Sequence, residues 1–258
     1  MNLTRTSNPF FGSKAFGRTT SIDYSEGQMT VRGAMNKTTL ILLFVFASAF
    51  FTWQRYFNAY TPGNPLEAVS AIKIFMILGG IGGFITAMIA SFSPRKAGFF
   101  TPIYAIFEGM FLGGLSAMFE AQFPGLVIRA VALTFAVFLG MLLIYQQRII
   151  KVTGKFRRGM IAAIFGIMLV YLVGMISSLF GAPLAFLSGG GTFGIIFSVV
   201  VTGISAFSLL LDFDFIEQGA MAGAPKYMEW YSVFGLLVSL VWLYVNILKL
   251  LAIFSGRD

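Results

Sequence analysis

Seven stretches of predominantly apolar residues run through this 258-residue chain, and their length constrains its fold more than any other feature. A helix needs about 20 such residues to cross the hydrocarbon core of a bilayer. The stretches lie at 38–57, 71–92, 99–120, 126–147, 159–180, 191–213 and 231–254. Only 11% of the residues are charged, whereas a soluble domain has about 25%. The sequence therefore predicts an all-α, polytopic membrane protein with seven transmembrane helices.

The polar residues divide the chain into two parts. Residues 1–37 are rich in Ser, Thr, Gly and Arg and have no apolar period, which is typical of a disordered or surface-lying tail. Short connections with turn residues, such as Pro124-Gly125, join the apolar stretches and leave no room for a soluble domain. We therefore predict a basic cytoplasmic tail at 1–37 and a transmembrane domain at 38–258.

The basic residues predict the orientation, because Lys and Arg in short loops stay on the cytoplasmic side of a membrane. With the tail inside, one side of the bundle collects thirteen of the 18 basic residues. These are Arg5, Lys14, Arg18, Arg32, Lys37, Arg95, Lys96, Arg148, Lys151, Lys155, Arg157, Arg158 and Lys226. We expect a cytoplasmic N-terminus, an external C-terminus and contact with anionic lipid on the cytoplasmic side. Because these residues are dispersed over four segments, we expect no nucleic-acid binding.

The chain contains neither cysteine nor histidine. Thiol nucleophiles, imidazole bases and metal sites with Cys or His ligands are therefore excluded. The two acids Asp212 and Asp214 point to different faces of a helix and make a poor catalytic pair. We predict no enzymatic activity and no cofactor. Any switch driven by pH, or any cation site, must use carboxylates.

Glu108 lies near the middle of the third apolar stretch. An ionised acid at that depth costs roughly 2.5–3.5 kcal/mol, and such acids are by default interpreted as parts of ion or proton pathways. We favour that interpretation for Glu108. The alternative is a protonated side chain that forms a hydrogen bond between helices.

Three more acids, Asp212, Asp214 and Glu217, lie within the segment LLLDFDFIEQG at 209–219. The predicted orientation puts this segment at the cytoplasmic, C-terminal end of the sixth helix. The helix dipole is negative there, so carboxylates at this position should retain protons or bind a cation. A solvated acidic cap at the level of the lipid headgroups is the alternative.

The same segment carries a resemblance to a known family. Together with YAIFEGMFLGGLSAMFE at 104–120 and SLVWLYVNILKLL at 239–251, it resembles the Bax inhibitor one family, the transmembrane Bax-inhibitor-motif proteins. The motif Ser-Asn-Pro-Phe at 7–10 resembles the bacterial branch of that family. The resemblance covers residues 36–254. It implies six helices packed in two layers around the seventh, in the bacterial inner (plasma) membrane.

The resemblance also implies a function, a pH-sensitive leak pathway for calcium. In the family, an Asp at the end of the sixth helix pairs with an Asp in the seventh, and protonation of the pair shifts closed and open forms. Asp212 matches the first position, and the second falls on Asn246, which cannot ionise. If the helix ran unbroken from Glu229, Asn246 would lie about 25 Å further along, too far to meet a cytoplasmic Asp212.

The leading hypothesis is therefore a passive cation leak, with Ca²⁺ as the ion carried, gated by protonation of carboxylates at the end of the sixth helix. Its expected site residues are Asp212, Asp214, Glu217, Glu108 and Asn246, with Asp212 and Glu108 as ligands of the ion. The second hypothesis is a membrane regulator without a pore. Such a protein would bind a membrane protease or quality-control complex through the tail and the loop at 146–158, as some bacterial relatives are thought to do.

Overall fold

The computed structural model describes residues 27–61, 64–182, 184–188 and 191–256. Seven helices in this part of the chain are long and apolar enough to cross a membrane. They are α1 (Val31–Ala59), α2 (Pro65–Phe92), α3 (Ala97–Gln122), α4 (Leu126–Gln146), α5 (Gly154–Leu179), α6 (Gly191–Met221) and α7 (Met228–Ser255). The prediction of an all-α protein with seven transmembrane helices is confirmed.

The first helix begins earlier than the apolar pattern indicates, at Val31 rather than at residue 38. Thr30 caps it, because its side chain accepts a hydrogen bond from the Gly33 amide. Residues 31–37 of the predicted tail are thus helical. The expectation for residues 1–26 lies outside the described residues.

The C-terminal helix α7 occupies the centre of the bundle. It packs against α1, α3, α4 and α6, and more weakly against α2. The helices α1, α2 and α3 form one packed group, while α6 contacts both α4 and α5 on the other side. Leu236, Leu243 and Leu248 of α7 are fully buried. Five of the other six helices therefore pack against the last one, whereas α5 packs mainly against α6.

Small residues bring the helices close together. A Cβ atom added at Gly113 of α3 would overlap backbone atoms of Ala49 in α1, and one added at Gly109 would overlap the backbone of Val45. This is the close helix contact that membrane interfaces build from glycine. Large apolar side chains cover the outer surface instead, for example Phe84, which is 68% exposed. That distribution suits a bundle whose solvent is lipid.

Candidate functional site

One end of the bundle, which we call the basic end, gathers the N-terminus of α1 and the connections α2–α3, α4–α5 and α6–α7. Backbone hydrogen bonds join the segment before α1 to the α6–α7 connection at this end. Met29 N donates to Ala224 O at 2.7 Å, and Lys226 N donates to Gly27 O at 3.1 Å. The segment 27–30 is therefore docked on the α6–α7 connection. Four acids lie at or near this end, and each has different neighbours. They are Asp212, Asp214, Glu217 and Glu229.

Asp212 of α6 faces the central helix. A Cβ at Gly235 of α7 would lie 3.5 Å from its Oδ1, and the Ser239 side chain of α7 lies beside its carboxyl group. The Oδ2 atom is buried and has no hydrogen-bond partner among the described residues. A buried polar atom left without a partner costs about 1–3 kcal/mol. Binding of a proton or a cation would therefore change the energy of this carboxyl group strongly.

Asp214, two residues further along α6, is turned toward α5. Its buried carboxylate accepts a charged hydrogen bond from Arg157 at 2.6 Å and a second from Gln218 at 2.8 Å. Arg157 lies in the first turns of α5, which otherwise packs mainly against α6. This ion pair therefore adds a charged contact to the packing of α5 on α6.

Glu217 is turned toward α4. It accepts hydrogen bonds from the Tyr145 hydroxyl and, at 2.5 Å, from the Arg148 guanidinium. Asp212, Asp214 and Glu217 thus face α7, α5 and α4, because their spacing distributes them around the helix. No cluster of three acidic side chains suited to a metal ion occurs within the described ranges.

Glu108 lies in the middle of α3 and faces α2. A Cβ at Gly83 of α2 would lie 3.1 Å from its Oε2. The Tyr104 side chain lies beside the carboxyl group, and the ring of Tyr104 packs against Phe234 of α7 with centroids 5.3 Å apart. The structure therefore places Glu108 at the α2–α3 interface and Asp212 at the α6–α7 interface. The contacts of the two expected Ca²⁺ ligands are thus with different neighbouring helices.

Asn246 is buried in α7, and its Nδ2 donates to the Trp242 carbonyl of the same helix at 2.8 Å. Because α7 is unbroken, Asn246 lies about 10 Å beyond Ser239 along the helix axis. The residues of α7 that face Asp212 are accordingly Gly235 and Ser239, not Asn246.

Glu229, which no sequence motif marks, is the most heavily paired acid at the basic end. It is fully buried and accepts hydrogen bonds from Lys37 of α1, from Lys226 at 2.7 Å, and from Thr30 N and Oγ1 at 2.9 and 3.1 Å. Lys226 is visible in the sequence as an i, i+3 partner. Lys37 and Thr30 are distant in sequence, so only the fold shows that Glu229 fastens the start of α1 to α7.

The Arg157 to Asp214 pair leads to a prediction about α5. Replacing Arg157→Gln removes the cation from a partly exposed ion pair, a loss of roughly 1 kcal/mol. We expect amide hydrogen exchange at the start of α5 to accelerate about fivefold, since 1.4 kcal/mol corresponds to a factor of ten. Arg158→Gln is the matched control, because the one hydrogen bond of the Arg158 side chain within the described part of the chain goes to the Gly154 carbonyl of its own helix. Equal exchange in the two variants would show that the pair does not hold α5.

Comparison with known proteins gives one family. The family model described as Bax inhibitor 1 like matches residues 8–256, which is nearly the whole chain. No curated protein and no solved structure matches the chain.

Proposed function

Because this chain belongs to the Bax inhibitor 1 like family of membrane proteins, we propose that it is a passive leak pathway for cations, chiefly Ca²⁺, controlled by protonation of Asp212. The observation that carries the proposal is the buried Oδ2 of Asp212, which has no hydrogen-bond partner among the described residues. The proposal places the protein in the bacterial inner membrane with a cytoplasmic N-terminus. It includes no enzymatic step.

The other acids at the basic end differ from Asp212, because each of them is paired with a cation. Asp214 pairs with Arg157, Glu217 with Arg148, and Glu229 with two lysines, so their charges are compensated within the described protein. Asp212 has no such cation in its surroundings among those residues. It is therefore the carboxylate whose charge the fold leaves to a proton or a metal ion.

The sign of the pH dependence follows from burial. A neutral Asp212 fits the packed bundle best, because an ionised carboxylate that is buried and unpaired is far more costly than a protonated one. Loss of the proton should shift the population toward a form in which water or a cation reaches the carboxylate. We therefore expect the leak to increase as the pH rises.

The chemistry of the ion fits the available ligands. Ca²⁺ prefers carboxylate, carbonyl and water oxygens in a flexible shell. Asp212 would be the principal carboxylate on the pathway, with the Ser239 hydroxyl beside it. Glu108 lies at the middle of α3 and remains a proposed second contact, reached separately through the α2–α3 interface. Asp214 and Glu217 would shape the pathway as ion-paired neighbours rather than bind the ion, while Asn246 lies deeper along α7.

Reconstitution into liposomes that contain a calcium-sensitive dye tests the proposal. At mildly alkaline pH we expect Ca²⁺ entry well above that of protein-free liposomes. In Asp212→Asn, an uncharged side chain of the same size, entry should fall to the protein-free level. Glu67→Gln is the matched acid-to-amide control, because Glu67 is exposed in the first turn of α2. Wild-type entry no faster than in empty liposomes would contradict the proposal.

A second candidate, the regulator of a membrane protease, is favoured by the docked segment 27–30 and the α4–α5 loop. Lys151, Lys155 and Arg158 are exposed there, so this surface is free to contact an acidic partner. Co-purification separates the two functions. A protease that co-purifies with the protein and changes activity when Lys151, Lys155 and Arg158 are replaced with Gln, without any Ca²⁺ flux in liposomes, would favour regulation.

A further inference from the structure

A cavity of about 380 Å³ opens between α1, α3, α4 and α7, away from the carboxylates of the basic end. Its wall is almost wholly apolar and includes Val45, Leu112, Val131 and Leu240. On α7, Leu240 and Ser239 are successive residues, so their side chains point about 100° apart around the helix. The cavity therefore lies on a different side of α7 from Asp212.

The cavity is open to the membrane rather than closed by protein. Its sides are α1 and α4, which do not pack extensively against each other. Phe46 of α1 and Phe135 of α4 stack across the gap with ring centroids 6.1 Å apart, and the two rings are 45% and 37% exposed. Beside this aromatic pair, the cavity-lining side chains Phe50 and Ile128 are 64% and 69% exposed, so the apolar cavity is accessible to lipid there.

The length of the cavity along α1 matches the thickness of one leaflet of the hydrocarbon core. Its lining residues on α1 extend from Leu42 to Trp53, a length of about 16 Å along the helix. The hydrocarbon core of a bilayer is about 30 Å thick, so one leaflet accounts for about 15 Å. The cavity thus has the length that one extended acyl chain occupies in a membrane.

One end of the cavity is polar, the end opposite to the basic end. Glu120 lies there, with Ser116 and Tyr244, whose hydroxyls are 2.6 Å apart. The Glu120 carboxylate accepts the Gly125 and Val127 amides at 2.6 and 3.0 Å. It forms no ion pair with a described Lys or Arg side chain, and a carboxylate has room for further donors. Trp53 also lines the cavity, and Trp is typical of the membrane interface.

We propose that this cavity binds one acyl chain of a phospholipid whose headgroup carries an ammonium group. The chain fills the apolar part between α1 and α4. The ammonium donates to the Glu120 carboxylate at the level of the headgroups. A lipid with an anionic headgroup is disfavoured, because it would bring a second negative charge to Glu120.

Native mass spectrometry of the detergent-purified protein tests this site. The protein is mixed with an ethanolamine phospholipid and a glycerol phospholipid that have the same acyl chains. We expect one ethanolamine lipid retained per protein, favoured over the glycerol lipid about tenfold, the value of one charge-assisted hydrogen bond. In Glu120→Gln that preference should fall to near unity while a lipid is still bound.

A cavity-filling variant completes the test. Val131→Trp puts an indole into the cavity and should abolish retention of the lipid. Leu133→Trp is the matched control, because Leu133 is 44% exposed and does not line the cavity. No retained lipid in the wild type, undiminished retention in Val131→Trp, or equal retention of both headgroups by the wild type would each overturn the proposal.

Discussion

Replacing Glu229→Ala is expected to lower the Tm of the detergent-solubilised protein by about 6–12 °C. The substitution removes the acceptor of Lys37, Lys226 and Thr30 at once. Breaking a buried ion pair from one side costs about 3–5 kcal/mol, and we take the lower value because the Lys226 side chain is 38% exposed. For a chain of this size, each kcal/mol corresponds to about 2–4 °C. Thermal unfolding followed by tryptophan fluorescence measures the change.

Glu67→Ala is the control for that experiment, because it removes an acid of the same type that is exposed at the other end of the bundle. We expect its Tm to stay within about 1 °C of the wild type, as is usual for surface substitutions. Proteolysis gives a second readout, since cleavage near residues 27–30 should accelerate in Glu229→Ala only. If the two variants unfold at the same temperature, Glu229 does not fasten α1 to α7.

The substitution Gly113→Leu should have an equally large effect for a different reason. The position faces the backbone of Ala49, which cannot rotate away as a side chain can. A larger residue must therefore push α1 and α3 apart along their whole interface. We expect a loss of about 3 kcal/mol or more, the upper range for overpacking. The measurement is the Tm together with the fraction of monodisperse protein after size-exclusion chromatography.

Gly140→Leu is the matched control for this substitution. Gly140 lies in a transmembrane helix as Gly113 does, but an added Cβ would meet nothing within 4 Å. Because leucine has the better helix propensity, this variant should be as stable as the wild type or slightly more stable. Equal losses in the two variants would mean that the change of residue, and not the α1–α3 contact, destabilises the protein.

The number and approximate position of the helices were predictable because the bilayer fixes the length of a spanning segment. The end of α6 was not, since this helix continues to Met221 rather than ending at residue 213. The start of α1 was not, since Arg32 and Lys37 interrupt the apolar pattern that marks the other spans. The fold accommodates the charge of Lys37. Lys37 pairs with Glu229, and its ammonium lies 5.1 Å from the centre of the Trp230 ring.

The candidate site was predictable only in part. Position alone pointed to Asp212, because it lies toward the basic end of a membrane helix. The residues that face it, Gly235 and Ser239, depend on the register between α6 and α7. That register is decided by the α6–α7 turn and by packing along α7, which no local pattern reveals. Glu229 was missed for the same reason, since its partner Lys37 comes from the other end of the chain.

We propose that the protonation state of Asp212 controls a cation leak. The most direct measurement is the rate of Ca²⁺ entry into proteoliposomes from mildly acidic to mildly alkaline pH, for the wild type and for Asp212→Asn in parallel. We expect wild-type entry to rise with pH and entry in Asp212→Asn to stay low and independent of pH. A variant that keeps the wild-type profile, or a wild type whose entry does not change with pH, would contradict it.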